Sequence, residues 1–288
     1  MRLLNRARSR LLPKAAEGLL HEREIDRLCK GIDIIGDIGI VKLSQELESR
    51  KHEIARRLLV AAPYLRVVLR QTGPVRSRLR TRELEWLAGE KRTETTHREY
   101  GCTYKIDLQA VYFSPRLSSE RKRIADQVRP GECVLNFFAG AGPFSIMIAK
   151  HARPSRVYSL DLNPAAVHYH ALNNRLNRVG ETIDIICGEA NSVVQSSLQG
   201  QANRVLLPLP ELAMNSLETA KSALQAEHGC IHCYLFASSG RRKGAGPIAM
   251  KELDQDLDRL GLVQRDAQVH VVRSVSPCRY QVCIDIVL

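Results

Sequence analysis

Apolar residues recur with two periods along this chain, and the change of period divides it. From Glu132 onward, short apolar runs alternate with stretches of helical spacing. Strands are predicted near 133–138, 156–161, 182–187, 203–207 and 230–236, and helices near 143–151, 164–177, 213–225 and 248–260. This βαβ alternation is the pattern of a doubly wound parallel sheet. Two further strands, 268–274 and 279–287, are joined through Pro277. Before this region the pattern is shorter in range. Residues 1–30 read as a basic helical extension. Residues 31–115 read as a small α+β unit with strands in 34–41, 67–69 and 106–113 and a helix over 44–62, for which Ser44 is a candidate N-cap. Ser114-Pro115-Arg116 ends that unit, and a basic helix over 118–128 opens the region 116–288.

Charge sharpens this division. The chain has 288 residues and a formal net charge of +12. Residues 1–128 hold 27 Lys and Arg against 17 Asp and Glu, and residues 129–288 hold 16 against 14. A basic front half beside a nearly neutral one suggests a polyanion partner, most simply nucleic acid. Arg76, Arg78, Arg80 and Arg82 alternate with other residues, so an extended backbone puts four guanidiniums on one face, suited to phosphates. A charged, exposed edge strand is the other reading. No apolar run is long enough to cross a membrane. Of eight cysteines, Cys230-Ile-His-Cys233 alone has a metal-like spacing, but within a buried strand its alternate side chains point to opposite faces, and no metal is expected.

The chemistry is carried by Phe138-Ala-Gly-Ala-Gly-Pro-Phe144. An apolar run ends there in a Gly-rich turn and a helix opens at Pro143; a second run ends about twenty residues later in Asp161. Gly140 and Gly142 let the backbone approach a ligand, the helix N-terminus favours polar groups, and Asp161 is placed for ribose hydroxyls. The spacing Gly-x-Gly-Pro, with Asp161-Leu162-Asn163-Pro164 after it, resembles an S-adenosylmethionine site more than a dinucleotide site.

From about Gly31 to the C-terminus the chain resembles the archaeal and eukaryotic tRNA (guanine-37-N1)-methyltransferase family. The pieces are Asp33-Ile-Ile-Gly-Asp37, Leu69-Arg-Gln-Thr-Gly-Pro74, Arg82-Glu-Leu-Glu85, Gly89-Glu-Lys-Arg-Thr-Glu-Thr95, Glu99-Tyr-Gly-Cys102 and Tyr112-Phe-Ser-Pro-Arg-Leu117. They are followed by the Gly-rich turn, Asp161-Leu-Asn-Pro164 and Ile231-His-Cys-Tyr234. The resemblance implies a Rossmann-like class I methyltransferase with a smaller N-terminal α+β RNA-binding domain, acting as a cytoplasmic monomer on the tRNA anticodon loop, and a closing strand hairpin is common in such enzymes. Fuller family members carry a further N-terminal domain, for which this chain is read as too short.

The resemblance also implies roles. Guanine N1 carries a proton, so methylation needs a general base and a donor near O6. Glu132 is the candidate base and Arg92 the candidate O6 stabiliser. Arg116 is expected to touch RNA or support the site. Phe138, Gly140, Gly142, Asp161, Leu162, Glu189, Ala190 and Pro208 are expected around the cofactor, with Glu189 accepting from the adenine amino group and Arg121 near the cofactor carboxylate. Two positions depart from the family: Asn136 stands where it has Asp, and Pro208 where it has the Asn of Asn-Leu-Pro. Proline has neither side-chain amide nor backbone N–H. Relatives acting on the tricyclic wyosine base at the same tRNA position, by C7 methylation or aminocarboxypropyl transfer, are the enzyme alternative. A weakly catalytic tRNA-binding homologue is the non-enzyme alternative.

Overall fold

The structure, a computed structural model, describes residues 11–28, 31–73, 79–225, 229–259 and 266–288. It divides into two compact units, Met1–Pro115 and Arg116–Leu288. Among the described residues no helix is long and apolar enough to cross a membrane.

The first unit holds a four-stranded sheet in the order β1-β2-β3-β4: Asp33–Ile35, Ile38–Val41, Val67–Gln71 and Leu84–Gly89. Strands β2 and β3 are parallel, connected through the helix Lys51–Ala61; β1 and β4 pair antiparallel on either side. A hairpin follows, β5 Glu94–Glu99 with β6 Cys102–Asp107. The region expected as a separate basic extension is part of this unit. Leu12, Ala15, Ala16, Leu20 and Leu28 are buried in one cluster with Ile34, Ile54, Leu58 and Val68. Arg2, Arg6, Arg8 and Arg10, which gave the extension its basic character, lie outside the described residues.

The second unit is built on a seven-stranded sheet in the order β12-β13-β11-β10-β7-β8-β9. The strands are β7 Cys133–Asn136, β8 Arg156–Asp161, β9 Ile183–Cys187, β10 Arg204–Leu207, β11 Cys230–Ser238, β12 Asp266–Ser276 and β13 Arg279–Val287. Strands β7 to β11 are parallel, while β13 runs antiparallel to both β11 and β12. The chain builds outward from β7 through β8 and β9, then returns to lay β10 and β11 on its other side. The carboxyl ends of β7 and its neighbours are therefore the crevice where open α/β sheets bind ligands.

Alternation along the strands separates two faces. Leu135, Phe137, Val205, Leu207, Ile231, Cys233 and Leu235 are buried in one cluster with residues of the helices Leu217–Ala223 and Arg242–Arg259. Each large apolar side chain so buried stabilises the fold by about 1.5–3 kcal/mol. On the other face Asn136, His232, Tyr234 and Asp285 are buried polar groups, and the helix Ser118–Gln127 packs there with Glu120, Arg123 and Gln127 turned to the sheet.

Candidate active site

The Gly-rich turn sits at the carboxyl edge of β7. Gly140 and Gly142 have φ of 55° and 86°, the left-handed region that favours glycine. A Cβ on Gly142 would lie 2.2 Å from the His170 ring, so space as well as backbone demands glycine. Gly142 caps the helix Pro143–His151, with Pro143 at its first position. The turn is held from below by the helix Pro164–Asn177, whose Asn173 Nδ2 donates to the Ala141 carbonyl at 3.0 Å. Asn163 caps that helix by accepting from the Ala165 N–H at 3.0 Å.

Asp161 ends β8 beside this turn. Its carboxylate accepts from the N–H of Gly140 (2.6 Å) and of Asn163 (2.9 Å). Burial raises its pKa above the ordinary carboxylate range, and the two backbone donors oppose that rise. The Gly188 N–H donates to the Asp161 carbonyl at 3.0 Å and the Ala139 N–H to the Leu160 carbonyl at 2.9 Å, which ties the ends of β7, β8 and β9 together. A half-buried carboxylate held by two backbone N–H groups, next to a turn whose Gly142 admits no side chain, fits a ligand with ribose hydroxyls. Leu162, 38% exposed, follows Asp161, and half-buried Phe138 precedes the turn.

Glu189 and Ala190 follow β9 at the same edge. Glu189 is the N-cap of the short helix Ala190–Val193, with its carboxylate accepting from the N–H groups of Asn191 (3.1 Å) and Ser192 (2.8 Å) and from the Ser192 hydroxyl. Its oxygens are thus already engaged, whatever they offer an adenine. Pro208 follows β10 at this edge and is half-buried. Asn136 is fully buried; its amide donates to Ser145 Oγ at 3.1 Å, and Ser159 donates to the same oxygen at 2.8 Å. The side-chain carbonyl of Asn136 is buried without a partner. Arg121 is 1% exposed, buried rather than solvated on its helix.

Glu132, the expected base, lies away from the cradle. It precedes β7, at the amino edge, and pairs with Arg204, the first residue of β10, at 2.7 and 3.1 Å. The length of the parallel strands separates it from the Gly turn. A different carboxylate lies at the carboxyl edge. Glu120 is 6% exposed and accepts from the Tyr234 hydroxyl at 2.8 Å. Tyr234 stands one residue beyond the register position of Leu207, where β10 ends, and packs edge-on against Phe144 of the helix that Gly142 caps. Arg123 binds the same carboxylate at 2.7 and 2.9 Å. In sequence Glu120 reads as one more charge on a basic helix; only burial distinguishes it.

In the first unit Arg92 is held rather than displayed. Its guanidinium donates to both oxygens of Asp37 (3.1 and 2.5 Å), to Glu90 (2.7 Å) and to the Glu94 carbonyl (2.7 Å). Thr95 Oγ1 also donates to Asp37 at 2.8 Å. Arg92 foremost holds the Asp37 carboxyl below its ordinary range. Any action at a substrate oxygen therefore starts from a fork already engaged by two carboxylates. The expected arginine stripe does not continue through 80–82. Arg76 and Arg78 lie outside the described residues. Arg80 has φ of 54°, which breaks the extended alternation, and Arg82 is 5% exposed. Both guanidiniums lie 5.1 Å from the Tyr112 ring centre, and Arg82 donates to the Phe113 carbonyl at 2.8 Å. Arg116 is exposed at the start of the second unit.

His232, Cys283 and Asp285 gather three donor atoms within 4.8 Å on the buried polar face. Asp285 is already engaged by Arg123 at 2.5 Å and Gln127 at 2.9 Å, so a cation would meet a guanidinium.

A parallel sheet with a glycine turn and a terminal carboxylate at its carboxyl edge defines a Rossmann-like methyltransferase. Residues 95–245 match the TRM5/TYW2 methyltransferase domain and residues 12–93 the TYW2 N-terminal domain. The chain belongs to the TRM5/TYW2 family. It is 36% identical over 253 residues to tRNA (guanine(37)-N(1))-methyltransferase Trm5b of Pyrococcus abyssi, covering 88% of this chain and 73% of that protein. It is also 36% identical over 262 residues to tRNA 4-demethylwyosine(37)-methyltransferase Taw21 of Saccharolobus solfataricus, covering 89% and 93%. The structure of aTrm5 in complex with tRNALeu superposes with a TM-score of 0.80 at 31% identity, covering 96% of this chain and 78% of that one.

Proposed function

We propose that this chain transfers the methyl group of S-adenosylmethionine to N1 of guanine at position 37 of tRNA, as the names of its Trm5b relatives state for them. The observation that carries the reading is the cradle of Gly140, Gly142 and half-buried Asp161 at the topological switch point of a chain from this family. S-adenosylmethionine, when bound, supplies an activated methyl group on a sulfonium. Gly140 and Gly142 would let it approach the backbone, Asp161 would accept from its ribose hydroxyls, and Phe138, Leu162, Glu189, Ala190 and Pro208 would surround it.

The remaining work is alignment and proton removal. Glu120 is the base this geometry favours over Glu132, since it is a buried carboxylate beside Tyr234, whereas Glu132 precedes β7 at the amino edge. Tyr234 and Arg123 fix its orientation. Arg121, buried on the same helix, would position the cofactor carboxylate, and Arg92 would stabilise charge at O6 once released from Glu90. Arg80 and Arg116, with Arg76 and Arg78, would contact the tRNA, and the enzyme would work as a cytoplasmic monomer on the anticodon loop.

A second reading has its own observations. Residues 12–93 match the TYW2 N-terminal domain, and Pro208 offers no amide to orient guanine. These favour the tricyclic wyosine base at the same position as substrate, as the name of Taw21 states for that protein. Incubating the protein with S-adenosylmethionine and two tRNAs, one with unmodified guanine at 37 and one with the tricyclic base, decides between them. The leading reading expects N1-methylguanosine from the first; methyl transfer to the second alone would overturn it.

A further inference from the structure

Residues 129–288 are nearly neutral in sum, but their charge is sorted in space. Strand β11 runs on to Ser238, well past Cys233, the register partner of the last residue of β10. At about 3.3 Å per residue it rises roughly 16 Å beyond that edge. Strands β12 and β13 climb with it, since Arg279 pairs with both Ser238 and Ser276. The three strands form a wall on one side of the crevice, and β11 stands two places from β7, whose turn carries the cradle. Arg241, Arg242 and Lys243 are exposed just after β11, and Arg279 is exposed at the start of β13. Residues 238–251 and 267–284 contain no Asp or Glu.

These cations are held in place without being neutralised. The Ser239 N–H donates to the Cys278 carbonyl at 2.8 Å, which staples the loop after β11 to the turn between β12 and β13. Ser239 Oγ accepts from the Arg241 N–H at 3.3 Å. Arg242 Nη2 donates to the Val271 carbonyl at 2.9 Å, and the Arg279 guanidinium lies 4.4 Å from the Phe236 ring centre. Among the described residues none of the four cations forms an ion pair. By contrast, Arg123, Arg156, Arg204 and Arg259 of the same unit each pair with a carboxylate. Charge along the helix Arg242–Arg259 also runs against its dipole: Arg242 and Lys243 open it, while Glu252, Asp254, Asp256 and Asp258 fall in its second half. Guanidiniums ordered on a carbonyl and a ring, and left to repel one another, suit an external polyanion.

We propose that Arg241, Arg242, Lys243 and Arg279 form a second RNA-binding surface, on which the phosphate backbone of the tRNA rests as its reactive nucleotide enters the crevice. The inference rests on the reading of tRNA as substrate, but not on which base accepts the methyl group. Guanidiniums present paired donors that match phosphate oxygens, and Lys243 adds a point charge. Contacts of this kind fix register and supply affinity through counterion release, and they carry no sequence information.

Fluorescence anisotropy of labelled tRNA with the full chain, at salt from about 50 to 200 mM, tests it. The combined variant Arg241→Ala, Arg242→Ala, Lys243→Ala should weaken binding on the order of tenfold and reduce the slope of log Kd against log salt by roughly two to three. Arg279→Ala alone should reduce the slope by about one. Thermal midpoints should not fall, since removing cations from the start of a helix relieves its dipole. Arg259 is paired with Asp256 on the same helix, so Arg259→Ala should leave the slope unaltered. Unaltered affinity and slope in the combined variant and in Arg279→Ala overturn the proposal, and so does an equal loss in Arg259→Ala. No measurable affinity of the unaltered protein for tRNA would instead overturn the tRNA reading, and this surface with it.

Discussion

Two carboxylates of the catalytic sheet, half-buried Asp161 and buried Asp285, are satisfied in opposite ways. Asp161 at the carboxyl edge accepts from two backbone N–H groups, and burial raises its pKa. Asp285, on β13, is engaged by His232, Arg123 and Gln127; burial works to raise its pKa, but these partners outweigh it and hold the carboxyl well below its ordinary range. One carboxylate is placed by the main chain and left without a cation; the other is neutralised within the fold. The first is the arrangement of a site that awaits a ligand, and the second that of a structural network.

Glu120 and Glu132 are each held by an arginine, Arg123 and Arg204, but Glu120 lies beside Tyr234 and Glu132 before β7, and substituting them gives the largest expected difference. Glu120→Gln should lower kcat for tRNA methylation by on the order of 10²–10⁴, the usual contribution of a general base. Glu132→Gln should instead lower the thermal midpoint, because it leaves Arg204 buried with a weaker partner, while kcat of the folded protein stays close to unaltered. Gly142→Ala should weaken cofactor binding by calorimetry, since it forces a Cβ against His170 at a positive φ; strain of about 1–3 kcal/mol corresponds to roughly 5–150-fold. Asp161→Asn should follow with a loss of about 1.5–3 kcal/mol, the usual weight of a hydrogen bond to a charged group.

The smallest effect is on stability against pH. Burial depresses the His170 pKa to about 3. In the unfolded chain it takes up its proton near pH 6.5, so that state is favoured as pH falls from about 6.5 toward 3. Asp285 acts in the same direction at lower pH: its folded pKa is depressed, so its stabilisation is present above the ordinary carboxylate range and is lost on acidification. Burial lowers the His232 pKa, but Cys230 and Asp285 raise it on balance, so His232 works the other way in the same window. The His170 share is therefore read by difference: His170→Asn should lose less stability than the unaltered protein between pH 7.5 and pH 5 by chemical denaturation.

Much of this was legible in the chain. The strands of the second unit were placed to within about two residues because parallel strands read as apolar runs, and the Gly turn and Asp161 carried their own chemistry. The base proposed here, Glu120, differs from the expected Glu132 for a physical reason: a residue before a parallel strand lies at its amino edge. Glu120 stayed hidden because a helix rich in Arg, Lys and Glu reads as solvated, and only packing on β11 and β13 buries it. The arginine stripe failed at one residue, Arg80, whose left-handed backbone ends the alternation that the pattern assumed.

The central claim is that proton removal belongs to the carboxyl edge. Nucleoside mass spectrometry of a guanine-37 tRNA, incubated with S-adenosylmethionine and each variant in turn, tests it most directly. N1-methylguanosine should form with the unaltered protein and with Glu132→Gln, and should be nearly lost with Glu120→Gln despite retained cofactor binding. Full product from Glu120→Gln, with loss in folded Glu132→Gln, would contradict it.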